Sequence, residues 1–274
     1  MTVPPANIRM EVDRLNLHYE SPIILKGIIP ANLYISGAAM TVTTITSLAE
    51  YVALVELVGE SDNWLFRGQR EDWEMLPKLA RLTPRESHLA DEQDMVREFR
   101  RNVREFVPSV PANDWELLAL AQHHGMATRL LDWTLSPLVA LWFAVEKPAE
   151  DTSMNGVVYM FEYKEDDLVD DYQEKSPFEQ EQTLFYIPQS VTGRIRVQRG
   201  YFSVHGYDKE KDWIPLQENP LFIPRLKKIE IPSKNFADIR YSLDRCGINR
   251  ASMFPDLDGL SAYLTWSFSR DKDE

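Results

Sequence analysis

Cysteine is almost absent from this sequence. Cys246 stands alone, which excludes an internal disulfide and a cysteine-based zinc site; a reducing compartment is the expected setting, and buried apolar filler the expected role of that thiol. Long apolar runs are missing too, since nothing approaches the roughly 20 residues needed to span a bilayer. The opening MTVPPANIRMEVDR carries acidic residues and prolines where a signal peptide needs a basic end and an apolar stretch, so a cytoplasmic protein without a membrane partner is expected. Glycine is sparse where it would count: there is no Walker loop, no G-x-G-x-x-G and no G-x-S-x-G elbow, which removes the usual signals of P-loop, Rossmann and α/β-hydrolase chemistry. Positive charge is in deficit. With 30 Lys and Arg against 43 Asp and Glu, the net charge of −13 repels a phosphate backbone, and a protein is a better expected partner than a nucleic acid. Arg85, Arg97, Arg100, Arg101 and Arg104 come closest to a basic patch, but their helical spacing reads as a solvated face.

What the chain does contain is core material. A hydrophobic fraction of 44% and seven tryptophans over 274 residues suit one large domain, and a chain of this size buries roughly 75% of its unfolded surface. Residues 1–44, broken by Pro22, Gly27, Pro30 and Gly37, read as an N-terminal arm; residues 45–274 read as the domain. A helix is predicted after Thr46 or Ser47, with Leu48, Val52, Val55 and Val58 at helical spacing. Trp64, Leu65 and Phe66 read as a short buried strand with Arg67 at its end. Helices follow over about 87–106, from Asn113 or Asp114 to Gly125, and from Ser136 and Pro137 through an apolar body. Strands are expected in GVVYMFEY, TLFYIP, RIRVQRGYFSVHG and RLKKIEIP, then a helix capped by Ser233 and a last one in DLDGLSAYLTWSFS. The fold class is α+β: a mixed or split β-sheet core packed by several helices.

Two features look too costly to be accidental. Gln122, His123, His124, Thr128, Arg129, Asp132, Trp133, Thr134 and Ser136 crowd between two apolar helices. Arg129 and Asp132 flank Leu130 and Leu131, so both charges are drawn inward, where an Arg–Asp pair is the plain structural reading. His123 and His124 point about 100° apart on a helix, so both cannot serve one ligand, and with no H-E-x-x-H pattern no metal is expected. Arg67, followed by Gly68 and Gln69, offers a planar donor fork to a phosphate or carboxylate; an ion pair with Asp132 is the competing use.

The runs WLFRGQ, EFRRNV, WELLALAQHHGMATRLLDWTLSPLVALWFAVE, RVQRGYFSVH and MFPDLDGLSAYL closely resemble the FRG domain, a family named for the Phe-Arg-Gly found here as Phe66, Arg67 and Gly68. The similarity covers about residues 45–265 and implies a bacterial or phage-associated setting beside mobile or defence genes. The order of elements is also similar to that of arginine-type ADP-ribosyltransferases: an Arg-Gly on a first strand, a Ser-Thr-Ser strand entering an apolar helix, then a strand with a catalytic glutamate. That second resemblance implies NAD as cofactor, held by Arg67, Gly68, Gln69, Arg129, Thr134 and Ser136. It implies catalytic roles for Arg67, Asp132, Gln198, His123 and His124, a macromolecular target, and a toxin or defence effector. The third element departs from the pattern, because RIRVQRGYFSVH has Gln198 or Arg194 where a carboxylate belongs. Asp132 or Glu181 would have to supply the charge; otherwise a nucleotide-sensing or protein-interaction module, or a His/Asp-based nuclease or hydrolase, stays open.

Overall fold

The computed structural model describes residues 40–58, 63–148, 151–169, 175–188, 200–207 and 213–269. Seven strands form one sheet in the order β1-β7-β4-β2-β3-β6-β5. They are β1 (Thr41–Thr44), β2 (Trp64–Gln69), β3 (Leu130–Thr134), β4 (Gly156–Glu162), β5 (Leu184–Tyr186), β6 (Gly200–Val204) and β7 (Leu226–Ile231). Seven α-helices are interleaved among the described residues: α1 (Leu48–Val58), α2 (His88–Asn102), α3 (Asp114–His123), α4 (Pro137–Val145), α5 (Phe236–Arg245), α6 (Arg250–Met253) and α7 (Leu257–Ser267). The β1–β7 pair is parallel and the others are antiparallel, so the fold is α+β with a mixed sheet.

The sheet has a waist. β2 pairs with β4 through six residue pairs and β3 with β6 through five, but β2 and β3 meet only at Phe66 and Thr134. Alternation along the strands sorts the side chains. Trp64 and Phe66 face a core built with α1, α4 and α5, whereas Leu65 and Trp133 face the opposite side with Val157, Tyr159 and Phe161. On the helical face of the other half-sheet, Leu130, Phe202 and Val204 pack against Trp115, Leu117 and Leu118 of α3. The waist therefore lies between two separate helix-covered cores.

The helix ends follow their sequence signals. Ser87 Oγ accepts from Ala90 N, Asn113 Oδ1 from Glu116 N, and Ser136 Oγ from Val139 N ahead of Pro137. Gly125, at φ 85°, takes the left-handed turn that ends α3. On α2 the expected solvated face is present, with Arg97 paired to Asp94 and Arg101 to Glu98 at exposed positions.

Four local expectations are corrected. LLDWT is a strand, not a connection between helices; five residues with an exposed Asp in the middle carry too little alternation to announce it. Arg67 sits inside a strand that runs on to Gln69, rather than at its end. Ser233 opens a single 3₁₀ turn, Ser233–Asn235, and α5 then begins without a side-chain cap. Cys246 follows α5 at an exposed position and fills no core. No helix among the described residues is long and apolar enough to cross a membrane.

Candidate functional site at the waist of the sheet

Where β2 and β3 part, a side chain replaces the ladder. Arg67 donates from Nη1 to the backbone carbonyl of Asp132 at 2.6 Å and from Nε to Gln69 Oε1 at 3.1 Å. Gln69, itself buried, is held in turn by donating to the Trp73 carbonyl at 2.8 Å. Burial lowers the Arg67 guanidinium to about 10, with the Asp132 charge opposing that fall and Arg81 reinforcing it. At neutral pH the group is still a full cation in a fixed orientation.

The opening is a cavity of about 240 Å³. Arg67 and Gly68 reach it from β2, Asp132 and Thr134 from β3, and Gln122 and His123 from α3. Phe143 of α4 and Tyr201 of β6 close the sides. A relay fixes the only carboxylate among the described lining residues. Leu130 N donates to Thr128 Oγ1, which donates to Gln122 Oε1 at 2.7 Å, and Gln122 Nε2 donates to Asp132 Oδ2 at 3.1 Å. Guanidinium and carboxylate thus share one cavity without pairing through their charged ends.

Residues 62–153 match the family model described as FRG domain, a stretch that runs from β2 through α4 and holds most of this cavity. That segment, about a third of the chain, is similar to an FRG domain. No curated protein and no solved structure matches the chain.

Within the matched segment the Phe-Arg-Gly residues have separable roles. Phe66 belongs to the helix-side core, Arg67 bridges the waist, and Gly68 is dictated by packing: a Cβ there would lie 1.8 Å from the Ala140 carbonyl oxygen of α4. Thr134 Oγ1 accepts from Ser136 N at 3.0 Å, a turn that aims the chain into α4. Ser136 spends its hydroxyl on the helix cap and does not line the cavity. Of the two histidines, His123 lines the cavity while His124 is exposed at the helix end with its ring edge-on, 4.9 Å away. Gln198 lies outside the described residues, and Glu181 is exposed away from the lining.

Arg129 is elsewhere. It is fully buried and pairs with Glu92 of α2 at 2.7 Å; its Nη1 donates to the Pro177 carbonyl, and its backbone N–H donates to the same glutamate. The Arg129–Asp132 pair read from the sequence is therefore replaced by Arg129–Glu92, and Arg129 anchors β3 to α2 instead of facing the cavity. Sequence reading missed Glu92 because it sits on a charged helix. The usable signal was its place midway between buried His88 and Val96, at i, i+4 and i+8. Behind the cavity, Trp133 Nε1 donates to Ser203 Oγ, which meets His205 Nε2 at 3.2 Å. Burial first, then Arg67 and Arg129, push His205 down to about 3, so it is neutral in the fold.

Proposed function

We propose that the FRG-domain cavity holds NAD and that the protein is an ADP-ribosyltransferase-like enzyme acting on a macromolecular target, a protein rather than a nucleic acid. The observation that carries this reading is the shared cavity of Arg67 and Asp132 at the point where the sheet parts. An always-charged fork held by Gln69 suits a phosphate. Asp132, oriented by Gln122, supplies the full negative charge that Gln198 cannot. At about 240 Å³ the cavity is smaller than typical drug-sized sites of roughly 300–1,000 Å³, so it suits one half of a dinucleotide with the rest on the rim.

When bound, NAD supplies the ADP-ribosyl group and nicotinamide as leaving group. Arg67 would hold a phosphate, Thr134 would shape the floor, and Asp132 would stabilise positive charge developing on the ribose. His123 would orient the acceptor at the rim. A cytoplasmic setting and a role as toxin or defence effector accord with the single cysteine and the family resemblance.

The test is nicotinamide release from labelled NAD in the presence of lysate proteins. Arg67→Ala should abolish binding, and Asp132→Asn should keep binding while cutting turnover by about 10²–10³. Absence of both binding and release in the wild type would end the proposal. One observation favours a second reading, a nucleotide-sensing or interaction module: Asp132 is exposed and is the sole carboxylate among the described lining residues. Thermal stabilisation by NAD without nicotinamide release would select that alternative.

A further inference from the structure

A second cavity, of about 330 Å³, lies behind the C-terminal end of α4, enclosed by α5, α6 and α7. Its walls combine two features that seldom meet by accident. Trp142 and Trp266 give it indole surfaces, and Lys147, Arg240 and Arg250 bring three cations against the two carboxylates of Glu146 and Asp244. In a chain of net charge −13 this is a local reversal of sign.

Both carboxylates already have partners. Glu146 accepts from Arg250 Nη1 at 3.1 Å, and Asp244 Oδ1 accepts from Asn249 Nδ2 at 2.9 Å. Arg240 caps α4 by donating Nη1 to the Val145 carbonyl, with its guanidinium 5.8 Å from the centre of the Trp266 ring. Arg250 lies 4.4 Å over the Phe254 ring, and its Nε is buried with no hydrogen-bond partner among the described residues. The Arg250 side chain as a whole is 39% exposed, so the outer nitrogens of its guanidinium are the ones that can meet an anion in the cavity.

We propose that this cavity is a ligand site for a planar aromatic anion, its ring held against Trp266 and Trp142 and its anionic group by Arg250 and Lys147. The site is independent of the function proposed for the first cavity, although the two back onto each other. Trp142 touches Phe143, which lines the first cavity, at 5.1 Å between ring centres, and both pack on Phe254.

The seven tryptophans provide the assay. Indole N–H resonances of the full chain are followed during titration with adenosine 5′-monophosphate, indole-3-acetate and, as a neutral control, adenosine. Trp142 and Trp266 line this cavity, and the Trp133 indole lies directly behind the other, so each site has a neighbouring reporter. The expected result is saturable movement of the Trp142 and Trp266 signals with at least one anion, and about tenfold weaker binding of its neutral counterpart. Ala262 is exposed on α7 and lines the cavity, so Ala262→Trp should fill the space and abolish those shifts while the fold stands. Arg250→Gln should weaken binding about tenfold, and Arg67→Ala should leave it unchanged. A nucleotide-only response assigns the site to nucleotides, and an indole-3-acetate response to aromatic carboxylates. Movement of Trp133 alone, no movement with either anion, or shifts that survive both Ala262→Trp and Arg250→Gln would overturn the proposal.

Discussion

Adding one methyl group to Gly68 asks for room that the fold lacks. The new Cβ would lie 1.8 Å from the Ala140 carbonyl oxygen, 2.8 Å from its carbon and 3.0 Å from Ala144 N. All three are backbone atoms of α4, so no rotamer change relieves them. Ordinary contact between non-bonded heavy atoms begins near 3.5 Å, and α4 would have to retreat by about 1.5 Å or more from β2. That helix carries Val139, Ala140, Leu141, Ala144 and Val145 into the core, and its retreat would loosen all of them. Overpacking costs about 1–3 kcal/mol where side chains can adjust, and backbone against backbone belongs at or above the upper end, about 3 kcal/mol. The reduced freedom of the unfolded alanine chain offsets less than about 1 kcal/mol of this. With about 2–3 kcal/mol remaining and roughly 2–4 °C per kcal/mol for a domain of this size, Gly68→Ala should lower Tm by about 4–12 °C. Urea denaturation should show a lower midpoint with an unchanged slope. Gly125→Ala is the control: its Cβ meets nothing within 4 Å, and only its φ of 85° is penalised, at about 1–2 kcal/mol. If Gly68→Ala melts within about 2 °C of wild type, the close crossing of α4 over β2 is wrong.

Two other perturbations test buried charge. Arg129→Met would leave Glu92 buried without its partner and should cost about 3–5 kcal/mol, whereas Arg129→Met with Glu92→Leu should recover most of the loss; equal destabilisation of both would refute the pairing. His205 is neutral in the fold with its pKa lowered to about 3, against about 6.5 when unfolded, so between these values the unfolded chain binds a proton that the native state refuses. Stability should therefore fall as pH drops below about 6.5, by up to about 1.4 kcal/mol per pH unit from this group, and His205→Gln should flatten that slope in urea titrations from pH 7 to 4. An unchanged slope would mean that His205 is not held neutral.

Most helices were legible because their ends are written locally. Ser87, Asn113, Ser136 and Gly125 each do in the structure what their residue type favours. The site was only half legible, for a reason of range. Gln122, Asp132 and Thr134 lie within 13 residues of one another and drew notice as a polar cluster, but their meeting with Arg67 depends on antiparallel pairing across 65 residues. Arg129 shows the same limit from the other side. Its nearest carboxylate in sequence is Asp132, three residues on, yet strand alternation and the turn before β3 send it to Glu92, 37 residues back. Composition marks a buried charge as needing a partner but does not say which of the available carboxylates it finds.

The waist gives Arg67 a structural reason to exist before any ligand is considered. With Phe66 opposite Thr134, a continued antiparallel register would bring Gly68 opposite Asp132, and the Asp132 carbonyl would look toward the backbone of β2. Instead the Arg67 guanidinium fills that gap and takes the carbonyl at 2.6 Å, so the halves of the sheet stand about one side chain apart. The bond that leaves the ladder open is also the bond that puts a cation at the mouth of the cavity. An arginine-to-lysine change should therefore be poorly tolerated, because an ammonium lacks the planar fork that binds Gln69 and Asp132 together. An anion drawn to the guanidinium would compete with a neutral carbonyl rather than with a carboxylate. That is the cheaper displacement, and it leaves the Asp132 side chain on Gln122.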